Sequence, residues 1–339
     1  MTDPIAPELM TMPEDVMRII MGECDFVSIQ RLRSTCHAFR NFIDANPNIP
    51  KYHFKYIQIT GDQKEMSLLL EEKKLYIEQL YPKGQTIFME YYNIDEKSTA
   101  IIWKRNRKNI KKIIENFNFF DLFSRDLESI LDRNSTTFES MLIAFDENRH
   151  GSAQKVLETC GKPPIKVRWL TIENVTCQEY FGGILRYICP DTLKSLHMDC
   201  ERGGCDISKI VQMDQWKNLK ELHIRKMSVR AGIQNFMHFE KAQFHFEEIT
   251  MDDVIRVKEH FLNSPPTKKS LQIEFDRFND EGRLIELFGR PYRNPYFACS
   301  EWYFWRPDNK VVFIEFTDSS FACEIQYRAC VPRGARLIG

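Results

Sequence analysis

Three histidines stand at similar steps of a recurring pattern, and imidazoles placed that way could carry protons, a metal or a charged peptide. Val167-Arg168-Trp169-Leu170-Thr171-Ile172 aligns with Leu193-Lys194-Ser195-Leu196-His197-Met198 and with Leu219-Lys220-Glu221-Leu222-His223-Ile224. Lys241-Ala242-Gln243-Phe244-His245-Phe246 and Lys268-Lys269-Ser270-Leu271-Gln272-Ile273 continue the series less closely. Side chains alternate along a strand, so the residues between the apolar ones share an exposed face. Three columns are predicted there. They are Trp169, Ser195, Glu221, Gln243, Ser270; then Thr171, His197, His223, His245, Gln272; then Glu173, Asp199, Arg225, Glu247, Glu274.

A metal centre is the weakest use of these residues. Imidazoles stacked on strands do not converge as ligands at i and i+4 of a helix do. Cys200 and Cys205 follow His197, but they flank Gly203-Gly204 with no second pair. Neither a metal nor a cofactor is expected. Catalysis lacks a signature too: there is no Gly-x-Ser-x-Gly, Walker loop, Gly-x-Gly-x-x-Gly or His-Glu-x-x-His. Cys36 and His37 are adjacent on a predicted helix and so point apart, and Cys36 fits an apolar stripe. The expected class is a binding protein, not an enzyme. The columns read either as a solvated face or as a protein-binding groove with acidic bias. Acidic neighbours favour protonation of the histidines and mutual repulsion opposes it; both outcomes stay open.

The elements that position these columns come from the same repeat. Successive segments start at 167, 193, 219, 241 and 268, differing by 26, 26, 22 and 27 residues. Leu-x-x-Leu-x-Leu at that interval fits the leucine-rich-repeat template. Between the strands, 176–189, 228–239 and 250–262 are amphipathic, the last opening on a Thr250 cap. The pattern predicts parallel β–α units stacked as a solenoid. Leu170, Ile172, Leu196, Met198, Leu222, Ile224, Phe244, Phe246, Leu271 and Ile273 form its expected core. Beyond it, 294–304, 311–316 and 321–328 predict a β-hairpin or meander that caps the sheet, with a loose tail from 331. Ahead of it, 54–60, 75–80 and 86–92 read as strands, with a turn at 81–84. Residues 104–133 read as helical, the basic run 104–112 solvated and Ile110, Ile113, Ile114 and Phe117 facing inward.

Near the N-terminus two short amphipathic helices are expected. Pro13 opens the first, with Glu14 and Asp15 in its first turn. Val16, Ile19 and Ile20 form one apolar stripe; Ile29, Leu32, Cys36 and Phe39 form another. So small a pair needs a partner or the rest of the chain.

This segment resembles an F-box. Met12-Pro13 stands for its Leu-Pro, and Leu32-Arg33-Ser34-Thr35-Cys36-His37-Ala38-Phe39-Arg40 for its Leu-Arg…Cys…aromatic signature. Trp216-Lys217-Asn218-Leu219-Lys220-Glu221-Leu222, with the aromatic-rich 236–246, resembles the FTH domain of nematode F-box proteins. The organisation this implies is an F-box at 8–48, a connecting α/β segment at 51–120, an FTH or leucine-rich-repeat-like domain at 121–290 and the hairpin at 291–332. The fold class is multidomain, α+β with α/β units. The resemblance implies a substrate-recognition subunit of a Skp–cullin–F-box ubiquitin ligase. Met12, Pro13, Val16, Ile19, Ile20, Ile29, Leu32, Cys36 and Phe39 would meet the Skp-type linker. Trp169, His197, His223, His245, Glu247 and Glu274 would meet a target protein. The alternative is an F-box scaffold that binds the linker without delivering a substrate.

Composition agrees with a soluble binding protein. The 339 residues are 43% hydrophobic and 28% charged, enough for several packed domains. A net charge of −1 favours neither nucleic acid nor membrane as partner. The 10 cysteines form no Cys-x-x-Cys pair, and neither a leader nor a membrane-length apolar run is seen. The expected compartment is the cytoplasm, or the nucleus as well, with reduced thiols.

Overall fold

Proline cannot donate a backbone hydrogen bond, and the first helix starts directly after one. The computed structural model describes residues 12–24, 26–33, 35–46, 54–62, 64–71, 86–95, 97–105, 108–133, 137–145, 155–158, 164–175, 178–265, 269–293, 296 and 298–339. Two units divide the chain, Met1–Val167 and Arg168–Gly339.

The first unit opens with three helices: α1 (Glu14–Gly22), α2 (Phe26–Arg33) and α3 (His37–Ala45). Two were expected. The second splits because Cys36 is extended, with φ −156° and ψ 166°, and its Sγ accepts from the Phe39 N–H. Small residues with side-chain acceptors end one helix and cap the next. Cys36 is therefore exposed rather than part of a buried stripe. Met17, Met21, Ile29, Phe39 and Ile43 form the core of the helices, with Met12, Leu32 and Phe42 packed on it. On α1 the predicted stripe faces outward: Val16 is 40% and Ile19 69% exposed.

Six strands follow in this unit: β1 (Tyr56–Gly61), β2 (Glu65–Glu71), β3 (Thr86–Asn93), β4 (Ser98–Arg105), β5 (Lys108–Glu115) and β6 (Phe138–Phe145). Their order is β6-β1-β2-β3-β4-β5. The β1–β6 pair is parallel and the others antiparallel. Every second residue is buried, as a sheet covered on one face requires: Ile57 and Ile59, Met66, Leu68 and Leu70, Ile87, Met89 and Tyr91. The cover is α4 (Phe119–Arg133), whose Phe123 meets the Tyr91 ring edge-on at 5.3 Å.

The long helix expected over 104–133 is corrected by this arrangement. Its first half is the end of β4 and all of β5, and only its second half is helical. Ile110, Lys112 and Ile114 are half-buried while Asn109, Lys111 and Ile113 are exposed, a period of two. Ile113 is 55% exposed rather than inward. Asn116, in the left-handed region at φ 61°, ends the strand. Asn118 then caps α4 by accepting from the Asp121 N–H. The strand and turn expected at 75–80 and 81–84 lie outside the described residues.

The second unit holds β7 (Val167–Val175), α5 (Gln178–Leu185), β8 (Ser195–Asp206), α6 (Asp214–Lys217), β9 (Glu221–Arg230), β10 (Lys241–Glu248), α7 (Met251–Asn263) and β11 (Ser270–Arg277). Then come α8 (Glu281–Phe288), β12 (Tyr292–Arg293), β13 (Ser300–Trp305), β14 (Lys310–Phe316), β15 (Ser320–Tyr327) and β16 (Leu337–Ile338). Strands β7 to β11 pair in parallel and in chain order. A backbone bond of the same kind leads into each of these strands after β7: Lys194 N–H to Arg168 O, Lys220 to Lys194, Glu240 to Lys220 and Ser270 to Glu240, at 2.8–2.9 Å. All ten expected core residues are buried. The Thr250 cap is also present, as a reciprocal capping box with Asp253.

Strand β15 runs antiparallel to β11 and continues through β14 to β13. The expected meander thus covers the β11 edge. The tail is more ordered than expected: β16 pairs with β13. The segment expected to be helical at 228–239 begins as the end of β9, and only a 3-10 turn at Ile233–Phe236 follows. The architecture is helices followed by mixed β-sheet with interspersed helices, partly built of parallel β–α units.

Candidate functional site

Two surfaces gather the residues singled out by sequence. On the first, α1 is fixed in place while its apolar side stays open. Arg18 donates to Glu14 at 2.6 Å and to Asn46 at the end of α3 at 2.9 Å. Asn46 also caps the Phe42 carbonyl at 2.8 Å. Pro13, Val16, Ile19 and Cys36 are exposed, and Met12, Ile20 and Leu32 are half-buried. Ile29 and Phe39 lie inside the helical core. The nine sequence candidates thus divide into an outward apolar set on α1 and residues that hold it.

A buried polar network that sequence reading missed anchors these helices within the first unit. Arg33 on α2 is 6% exposed. Its Nε and Nη2 donate to the two Asp44 oxygens at 2.7 and 3.1 Å, and its Nη1 to Asp126 Oδ1 at 2.8 Å. The Tyr91 hydroxyl donates to Asp126 Oδ2 at 2.8 Å. Burial raises the Asp126 carboxyl above its ordinary range, against the pull of Arg33. It also holds the Tyr91 hydroxyl far above its own range, with the Asp126 charge adding to the effect. The pattern Leu32-Arg33 was visible, but its partners lie 11 and 93 residues away in sequence.

The second surface is the exposed face of β7–β11. His197 and His223 are directly opposite, their ring centroids 5.3 Å apart. His245 is not in their column. Lys241 pairs with Glu221 and Gln243 with His223, two residues off the expected alignment. Ala242, not Phe244, faces Leu222, because a small residue occupies the position that the pattern gives to leucine. Two irregularities follow, between Asp199 and Gly203 and between Gln243 and His245. Lys226 sits there in the left-handed region at φ 65°. The corrected columns are Trp169, Ser195, Glu221, Lys241, Ser270 and Thr171, His197, His223, Gln243, Gln272. His245 instead bonds Ser228 Oγ at 2.6 Å and Asp276 at 3.2 Å.

The charges on this face are paired across strands. Lys226 bridges Asp199 at 2.9 Å and Arg230 bridges Glu247 at 2.9 Å. Gln243 donates to Glu274 at 3.4 Å. Gly204 leaves the room for the second bridge, since a Cβ there would meet Glu247 Oε1 at 2.8 Å. Arg225 donates to His223 Nε2 at 2.8 Å, so that nitrogen is an acceptor and the imidazole carries its proton on Nδ1. Burial lowers the His197 and His223 pKa values, with Arg225 contributing to both and Glu221 opposing at His197. The question left open by sequence is answered: these histidines are harder to protonate than a free imidazole. Trp169 lies at the β7 end, 39% exposed. The face offers polar and charged groups in both signs.

Among the described residues no helix is long and apolar enough to cross a membrane. Comparison with known proteins matches an F-box domain at residues 9–51 and an FTH domain at residues 147–290. F-box A protein 224 of Caenorhabditis elegans is 22% identical over 233 residues, covering 65% of this chain and 58% of that protein. The chain thus spans less than two thirds of that relative. No solved structure matches.

Proposed function

We propose that this chain, an F-box protein carrying an FTH domain, is the substrate-recognition subunit of a Skp–cullin–F-box ubiquitin ligase. The observation that carries the reading is the outward apolar side of α1. Val16 and Ile19 are exposed while Met17 and Met21 on the opposite side are buried. An exposed apolar pair on a fixed helix suits burial by a partner. The Skp-type linker is the partner an F-box implies. Ile29 and Phe39 act from beneath, as core that shapes the surface.

The β7–β11 face is the proposed seat for a target protein, with Trp169, His197, His223, His245, Glu247 and Glu274 on or beside it. Held there, a target lysine gains effective concentration at the ubiquitin-charged enzyme, and this chain performs no chemistry. The role requires no cofactor, nucleic acid or membrane.

The test is a pull-down of Skp-type linker by Val16→Glu, Ile19→Glu protein. Buried hot-spot residues are typically worth about 2 kcal/mol or more, so the pair should cut linker capture at least about thirtyfold. Circular dichroism should stay unchanged, because both side chains are exposed. Full linker capture by this variant overturns the reading.

A further inference from the structure

We propose that Cys299, Glu301 and Glu315 form a zinc site in the C-terminal meander. The three residues each place one ligand atom within 4.8 Å of the others. Cys299 and Glu301 are 7% and 4% exposed, and Glu315 is half-buried. This is a mixed thiol and carboxylate set, which suits zinc and not the oxygen-only preference of calcium or magnesium.

The topology assembles the set. Residues 299 and 301 are two apart along the chain leading into β13, and side chains two apart share a face. Glu315 on β14 is the direct cross-strand neighbour of Glu301. Like charges placed directly opposite destabilise an antiparallel pair. Burial makes the conflict worse. A divalent cation between the two strands turns that repulsion into a crosslink.

The distances fit. A tetrahedral centre with a Zn–S bond of about 2.3 Å and a Zn–O bond of about 2.0 Å has an S···O edge of about 3.5 Å. Cys299 Sγ and Glu301 Oε1 are 3.5 Å apart. The other oxygen of Glu301 accepts from the Tyr303 hydroxyl at 2.5 Å. That is the outer-shell contact that fixes a ligating carboxylate in orientation. Cys299 also borders a cavity of about 200 Å³, lined by Leu284, Pro291, Arg293, Trp302 and Asp318 among others. The cavity supplies a path to the thiol and room for a fourth ligand.

Binding replaces the thiol proton: the S–H bond is broken, its proton leaves to solvent and the sulfur lone pair enters the metal. No oxidation is involved.

The full chain, stripped with EDTA and kept reduced, is titrated with Co²⁺. Expected are visible ligand-field bands and a near-ultraviolet thiolate-to-cobalt band, both abolished by Zn²⁺. Cys299→Ser should lose the charge-transfer band. Tyr303→Phe should keep the band and weaken binding about 10–100-fold, as loss of an outer-shell partner does. If Cys299→Ser fails to fold, Glu315→Gln decides, since it keeps the side chain's size and removes one facing charge. Weaker Co²⁺ binding by that variant supports the site. Absence of a charge-transfer band in wild type overturns it, as does a band that survives Cys299→Ser, or unchanged binding by Glu315→Gln. A raised melting temperature for Glu315→Gln in a chain that binds no Co²⁺ would instead mean a shared proton.

Discussion

Arg33 shows how much one side chain can decide. Its guanidinium serves two carboxylates at once and ties α2 to α3 and α4. Removing it leaves Asp126 buried beside Tyr91 with its hydrogen-bonded counter-charge gone. Breaking a buried ion pair from one side typically costs about 3–5 kcal/mol. Arg33→Ala should lose that much stability in urea unfolding. Asp126→Asn should cost less, because the amide keeps a hydrogen bond to Tyr91 and leaves Arg33 its contact with Asp44. An Arg33→Ala, Asp126→Asn double variant whose loss equals the sum of the two single losses would show that the pair is not coupled. Arg306 plays a comparable part in the second unit. It is 4% exposed and donates to the Phe261, Leu262 and Ser264 carbonyls at the end of α7.

At the scale of elements, the strands carrying His197 and His223 make a pH prediction. Four histidines of the second unit, His197, His223, His238 and His260, have lowered pKa values, burial being the largest cause in each. The unfolded chain binds their protons near pH 6.5, the folded chain only at lower pH. Stability from these groups is therefore complete above about pH 6.5 and falls as pH drops through that value toward the folded pKa. Melting temperature should decline between pH 7.5 and 5.5. His197→Gln, His223→Gln protein should show a shallower decline than wild type. The difference between the two slopes isolates these histidines from buried carboxylates, which titrate in the opposite sense. Identical slopes would remove the pair from the account.

The same elements show what could be read in advance. Strands β7, β8 and β9 were legible because Leu170, Leu196 and Leu222 repeat with a constant interval and register. The β10 register was not, because Ala242 takes a leucine's place and Phe244 and Phe246 imitate the motif. Residues 104–115 misled for a related reason: Ile110, Ile113 and Ile114 fit a helical stripe as well as they fit a strand. Only pairing with β4 decides between the two. On α1 the periodicity singled out Val16, Ile19 and Ile20, but which apolar residues face inward is decided by Met17 and Met21 packing in one core with Phe39 and Ile43. The Cys299 cluster could not be found, since Glu315 joins it only through cross-strand pairing.

Over the whole molecule, the terminal strands are protected in different ways. In the first unit β5 pairs only with β4 among the described residues, and it carries Lys111 and Lys112. Charged lysines discourage pairing with another chain. Lys111→Val, next to the exposed Ile113, should raise aggregation, read by light scattering during incubation at fixed concentration. No increase would mean that β5 is shielded by something other than charge. In the second unit the terminal strands β12 and β16 are two residues each, too short to template another strand.

That closure also bears on how such a chain can change length over generations. Each parallel strand from β7 to β11 leans on its neighbours, while among the described residues the cap joins the parallel strands by pairing β15 with β11. A duplicated strand-and-helix module placed after β11 would displace β15 from its partner. Placed between two existing parallel strands, it would be met by the same kind of edge on both sides. Lineages that gain or lose modules should therefore do so in the interior, with the β11-to-meander segment inherited as one block.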